Sequence, residues 1–385
     1  MLTRPTPRLV PTLMVALSLG IALPLQAADN NTYQQHNLVS DGSVPADHTD
    51  PDLVNPWGIA FNPNGFVWIA NNHTGVSTLY DGLGVKQSLV VTVPPEGSAP
   101  IGIVFSSGSD FVVTKDNISG PSRFIFATED GTLSAWAPNV DSTHAILQVD
   151  NSGSGTIYKG LALAANGSGH YLYATDFHNN KIDVFDATFA PVPLSNGTFS
   201  NFSDPELPQG YAPFGIQNIN GNLYVTYAKQ DTDAEDDVLG PGSGFVDVFD
   251  ANGKLIRHFA AGGKLNAPWG LALAPADFGR FSNTLLVGNF GDGRINAYDL
   301  ATGAFQGQLQ GADGFPLVIE GLWGIVFGNG LLSQSTNTLF FTAGPGDEEH
   351  GVYGRIDAVS ESASNPPPSD GCGSNGNDGF SCYAK

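Results

Sequence analysis

Apolar positions in this chain fall in short alternating runs, and one phrase opens those runs repeatedly. NPWGIAFNPNGFVWIAN, beginning at Asn55, is echoed by APWGLALAPADFGRFSNTLLVGN, beginning at Ala267. Aligned on its glycine, the phrase appears as PWGIAF, PIGIVF, YKGLAL, PFGIQN, PWGLAL and LWGIVF, which places the glycine at Gly58, Gly102, Gly160, Gly215, Gly270 and Gly324. A second apolar run follows each phrase (FVWIAN, RFIFAT, YLYATD, NLYVTY, TLLVGN, TLFFTA), and then a third (VSTLYD, TLSAWA, KIDVFD, FVDVFD, RINAYD, GRIDAV). Alternation with aromatic and β-branched residues predicts strands. The Asp and Gly clusters between them predict turns, and no stretch of the repeats keeps a helical period.

Several units carry a fourth run, such as KLIRHFA at Lys254. Repeats of this kind predict an all-β fold, a six-bladed β-propeller. A β-sandwich, the competing fold, leaves the equal phrases unexplained. The last unit stops after its third strand at GRIDAV, whereas YQQHNLVSD, residues 33–41, precedes the first unit. The two incomplete ends predict that residues 33–41 supply the outer strand of the sixth blade, closing the ring and covering a sheet edge. The marker glycine suits the crowded entry to the innermost strand. The residues before it, Trp57, Trp269, Trp323 and Phe214, are expected to pack between blades.

The two ends read differently from the repeats. Residues 1–27 have Arg4 and Arg8 ahead of the apolar run VPTLMVALSLGIALPL and a small-residue site ending at Ala27, the pattern of a secretory signal peptide. The expected product is secreted or periplasmic, with no integral membrane segment after signal removal. The propeller is expected over residues 28–359. Residues 360–385 form a Pro/Ser linker and a tail with the only cysteines, Cys372 and Cys382. An oxidising compartment allows them a local disulfide, with free thiols or an intermolecular link as alternatives.

The third-strand phrases, YLYATDFHNNKIDVFDA and TLLVGNFGDGRINAYDL, resemble NHL repeats. The layout from HNLVSDGSVPADHTDPDLVNPWGIAFNPNGFVWIANN onward is similar to an uncharacterised family of exported bacterial six-bladed NHL-like propellers. That resemblance implies the fold and leaves the activity open.

Charge narrows the partners. Fifteen Lys and Arg against 37 Asp and Glu give a net charge of -22, which argues against nucleic acid and suits a cation or a basic partner. At the end of strand two, Asn71, Thr128, Asp176, Tyr227, Asn289 and Ala343 fall in equivalent places. Asn71, Asp176 and Asn289 come from alternate blades, and Glu320 enters the sixth blade on the same face. Oxygen ligands of this kind suit one divalent cation, Ca2+ ahead of Zn2+. The arrangement is similar to that of the gluconolactonase (senescence-marker) propellers, where Glu, Asn and Asp from different blades hold a metal. Capping of strand ends is the simpler reading of the same residues.

Other groups join this face. Peptidylamidoglycolate lyase, a more distant NHL-like resemblance, implies a His-held zinc, for which His73, His178 and His350 are the loop histidines here. Lys159 and His178 are the candidate catalytic groups. The loop KQDTDAEDDVLGPGSG, residues 229–244, starts like a calcium loop but departs from the EF-hand pattern at Asp236 and Gly242. It reads as a solvated charge run or a site for a cation or basic partner. GPGDEEHG, residues 344–351, adds further negative charge. No GxSxG elbow, P-loop or paired-cysteine metal motif occurs. Two functions remain: a binding or scaffold module for a protein, carbohydrate or small molecule through the acidic face, and a metal-dependent, lactonase-like hydrolase or lyase at the axial mouth. Whether the chain is an enzyme stays open at this level.

Overall fold

The computed structural model describes residues 32–167 and 169–359. The expected signal peptide, the Pro/Ser linker and the tail bearing Cys372 and Cys382 lie outside the described residues. The described chain forms six sheets around one axis, plus a small hairpin, Val112–Lys115 with Ile118–Pro121. It is an all-β, six-bladed β-propeller. In the first blade the strands run in order Pro56–Phe61, Val67–Asn71, Val76–Tyr80 and Lys86–Thr92. The first strand of each blade touches the first strands of the blades before and after it, and Leu322–Phe327 of the last touches Pro56–Phe61 of the first, so the ring is closed. No helix among the described residues is long and apolar enough to cross a membrane.

Closure uses the N-terminal strand as the sequence predicts. Thr32–Ser40 runs antiparallel to Val352–Val359, from Thr32 opposite Val359 to Ser40 opposite Val352. Tyr33 also pins this strand to the fifth blade. Its hydroxyl donates to the Phe278 carbonyl at 3.0 Å and accepts from the Phe281 amide at 3.1 Å.

The repeated glycine phrase has a specific geometric consequence. In each blade the ladder between strands one and two slips at the phrase, as between Pro56 and Ile59, Pro213 and Ile216, or Leu322 and Ile325. One extra residue on strand one is a β-bulge, which re-aims the side chains beside it. A Cβ on Gly215 would lie 2.1 Å from the Trp269 carbonyl, and one on Gly58 would lie 2.2 Å from that of Ile101. Only glycine lets adjacent innermost strands approach this closely. Thr342 ties the last bulge to the first: its hydroxyl accepts from the Gly324 amide at 3.0 Å and donates to the Trp57 carbonyl at 2.6 Å.

The bulge turns the aromatics of the phrase toward the axis. Trp57, Phe214, Trp269 and Trp323 pack between blades as expected, and they also meet one another across the axis. Trp57 stacks on Trp323 with centroids 3.4 Å apart, and meets Trp269 edge-on at 5.9 Å and Phe214 at 6.4 Å. Blades one and four are opposite each other, so the Trp57–Phe214 contact spans the ring. This plug covers a central cavity of about 60 Å3 lined by the marker glycines.

Candidate functional site

Among the six residues preceding the marker glycines, four are aromatic, one is Ile101 and one is Lys159. Lys159 therefore brings an ammonium into an aromatic plug. It is 2% exposed, and Nζ lies 5.2 Å above the Trp57 ring. The ammonium pairs with Glu129 Oε1 and, at 3.3 Å, with Asp236 Oδ1 from the acidic loop. Burial opposes its charge, but Glu129 and then Asp236 more than offset this and raise its pKa.

A shell of amides and acids surrounds that ammonium. Asn72 donates to the other oxygen of Glu129 at 2.8 Å. Asn55, buried, donates to Glu348 Oε2 at 2.7 Å and accepts from the Trp323 indole at 3.1 Å. Burial raises the pKa of Glu348, partly countered by the Asn55 hydrogen bond. Asp237 Oδ2 is buried without a hydrogen-bond partner. Burial pushes the Asp237 carboxyl up to about 7, Lys159 draws it down, and Glu348 and Asp236 add to the rise. Beside this mouth, between blades five and six, Phe290, Asp292, Glu320 and Glu348 line a cavity of about 360 Å3. The acidic loop thus folds over the axial mouth and buries one carboxyl oxygen, Asp237 Oδ2, instead of standing wholly in solvent.

The strand-end residues singled out in the sequence occupy equivalent register positions, each opposite the residue two before its marker glycine: Pro56 with Asn71, Tyr158 with Asp176, Pro268 with Asn289. Their side chains are held within or beside their own blades. Asn71 donates to Thr78 at 2.9 Å. Asp176 accepts from Thr156 at 3.2 Å and Asn179 at 2.9 Å, with Lys181 Nζ at 3.5 Å. Asn289 donates to the Lys264 carbonyl at 2.8 Å and to Asp292 at 2.9 Å. Glu320 accepts the Gly346 amide at 3.0 Å. No hydrogen bond or ion pair joins any two of these four. The amide oxygens of Asn71 and Asn289 are buried without partners.

The histidines likewise have separate surroundings. His350 Nδ1 meets Asp41 at 2.8 Å, His73 Nε2 lies 3.4 Å from Asn55, and His178 Nδ1 is buried without a partner. Lys159 is the sequence candidate that sits on the axis. Sequence reasoning missed Glu129, Asn55 and Asn72. The available signal was the break in the aromatic phrase at YKGLAL, which marks Lys159 as a charged residue needing partners.

A different group of metal-ligating side chains lies away from the mouth. Asp204, Asp247 and His258 hold ligand atoms within 4.8 Å of one another, the one such grouping of His, Cys, Asp and Glu among the described residues. Its members come from the segment linking blades three and four and from strands three and four of blade four. Nothing in their sequence spacing announces this meeting.

No family model matches the chain. It is 36% identical over 336 residues to uncharacterized protein R648 of Acanthamoeba polyphaga mimivirus, covering 84% of this chain and 80% of that protein. The chain belongs to the same family as that protein. Uncharacterized protein L690 of the same virus is 36% identical over 303 residues, covering 76% of this chain and 78% of the relative. These relatives are viral, where the sequence resemblance pointed to bacterial proteins. Among solved structures, a glucose dehydrogenase is 14% identical with a TM-score of 0.52, covering 85% of this chain and 99% of that one. A Bacteroides thetaiotaomicron protein of unknown function is 12% identical with a TM-score of 0.53, covering 85% and 76%. At such identities these likenesses establish the propeller fold alone.

Proposed function

We propose that this protein is an exported binding module whose acidic axial face receives a positively charged group of a partner. One observation carries this reading: Glu129, Asp236, Asp237 and Glu348 converge on the single ammonium of Lys159, and Asp237 Oδ2 is left buried and unpaired. Carboxylates held this close repel one another, so an entering cation relieves the site. The net charge of -22 steers such a partner toward the protein from a distance. Export is supported by the signal-like residues 1–27.

Titration calorimetry with an oligolysine peptide tests the reading. The parent should bind, with affinity falling as salt rises. Asp237→Asn combined with Glu348→Gln should weaken binding at least tenfold, and oligoglutamate should not bind. Absence of oligolysine binding, or binding indifferent to both substitutions, overturns it.

The second reading, a metal-dependent hydrolase or lyase at the same mouth, is favoured by the Asp237 carboxyl. A group that titrates near neutrality beside Lys159 is suited to passing a proton. A cation in the cavity beside the mouth would draw on Asp292, Glu320 and Glu348, with Asn289 holding Asp292 at 2.9 Å. Asp176 offers less, because its oxygens are already engaged by Thr156, Asn179 and Lys181. A rise in Tm on adding Ca2+ that Glu320→Gln and Asn289→Ala abolish would move the assignment to this reading.

A further inference from the structure

The side of blade four that faces the third blade carries its own polar centre, independent of the axial mouth. Asp247 and His258 face each other across strands Phe245–Phe249 and Leu255–Ala261. The chain linking blades three and four brings Asp204 against them. His258 Nδ1 lies 3.2 Å from Asp204 Oδ2 and 3.2 Å from Asp247 Oδ1. The other ring nitrogen, Nε2, lies 3.5 Å from Glu206 Oε2. Both carboxyls are almost wholly covered, at 4% and 3% side-chain exposure.

We propose that Asp204, Asp247 and His258 form a binding site for a divalent transition-metal ion of the Zn2+ type. The spacing supports this ion class. Ligand atoms about 2.1 Å from a tetrahedral Zn2+ stand about 3.4 Å from one another, close to the separations around Nδ1. Ca2+ asks for six to eight oxygens, and this site offers two carboxylates and an imidazole.

The surroundings point the same way. Glu206 Oε2 stands 3.5 Å from Nε2, on the side of the ring away from the two aspartates, where an outer carboxylate commonly orients a metal-bound histidine. Asp247 Oδ2 is buried without a partner. A separate residue adds independent evidence. The Tyr227 hydroxyl, on a side chain 3% exposed, is also buried and unpaired. Together with Asp204 it lines a cavity of about 460 Å3 between blades three and four. Buried polar atoms without partners, the Tyr227 hydroxyl at this cavity and Asp247 Oδ2 beside it, call for a ligand that the protein itself does not supply. The proton that Nδ1 otherwise shares with the two carboxylates leaves to solvent when the ion enters. The cavity leaves a fourth position for water or a small anionic ligand.

The test uses the full-length protein stripped with EDTA and titrated with Zn2+ by calorimetry, and with Co2+ by visible absorption. The expected result is one equivalent taken up, Co2+ bands of tetrahedral intensity, and a rise in Tm with Zn2+. His258→Ala and Asp247→Asn should each reduce affinity at least tenfold. Glu206→Gln, acting through the imidazole, should reduce it less and keep the stoichiometry. His258 is 43% exposed and Asn is isosteric with Asp, so both variants should fold, which their Tm in EDTA confirms. No stoichiometric uptake, or uptake that survives both ligand substitutions, overturns the proposal. Neither outcome touches the axial mouth, which is read by oligolysine binding.

Discussion

The Lys159 ammonium lies 5.2 Å above the centre of the Trp57 ring, inside a plug that the other blades fill with apolar side chains. Taking an ammonium out of water is costly unless it is paired. Glu129, on the neighbouring blade, supplies the partner, and the pair joins blades two and three at the mouth.

Lys159→Met should therefore destabilise the protein by about 3 kcal/mol, the low end of the range for stripping one partner from a buried ion pair. Glu129 is partly exposed, which moderates the loss. Adding Glu129→Gln should recover part of the stability, because the uncompensated charge is gone. Chemical denaturation of both single variants and the double variant measures the coupling. Strict additivity would show that the pair contributes no interaction energy.

Asp237 gives a pH signature. Its folded-state pKa, pushed up to about 7 by burial, lies above the ordinary aspartate value of 3.8, so the folded state holds this proton more tightly than the unfolded chain does. The associated stability is present in acid and is lost as pH rises from about 4 to about 7, with a slope of at most about 1.4 kcal/mol per pH unit. Above about 7 both states are ionised and the slope vanishes. Thermal unfolding across pH 4–8 should show a decline that Asp237→Asn flattens. An unchanged pH profile in that variant would remove Asp237 as the source.

Ring closure rests on Tyr33 as well as on the ladder to Val352–Val359. Tyr33→Phe deprives the Phe281 amide and the Phe278 carbonyl of their shared partner. Leaving such buried groups unpaired should cost about 1–3 kcal/mol, read from urea unfolding. A variant lacking residues 33–41 exposes the edge of the sixth blade and should aggregate. A soluble truncated protein with parental Tm would refute the closing role of that strand.

The marker glycines should be intolerant in proportion to their clearance. Gly215→Ala forces a Cβ to within 2.1 Å of the Trp269 carbonyl, while Gly153 has no atom within 4 Å of the corresponding position. Gly215→Ala should cost about 3 kcal/mol, an overpacking penalty that rigid backbone cannot relax away. Gly153→Ala should stay within about 0.5 kcal/mol of the parent. Paired melting curves decide whether the glycine is retained for close approach or only for turn formation.

The strands, the six repeats and the closing strand are legible in the residue pattern alone, because alternation and turn chemistry are local and the repeats report one another. The same pattern also aligned Asn71, Asp176 and Asn289 at one register position. The face those side chains take, and the company they keep, followed from tertiary structure. A single extra residue beside each marker glycine reverses the alternation at that point, sending Trp57 and Lys159 to the axis while Asp176 turns to Thr156 and Asn179. Glu129 and Asp236 stand 30 and 77 residues from Lys159 in sequence, and Asp204 is 43 and 54 residues from Asp247 and His258. No spacing rule links them, because only ring closure and the path of the interblade segments bring their charges within reach of one another.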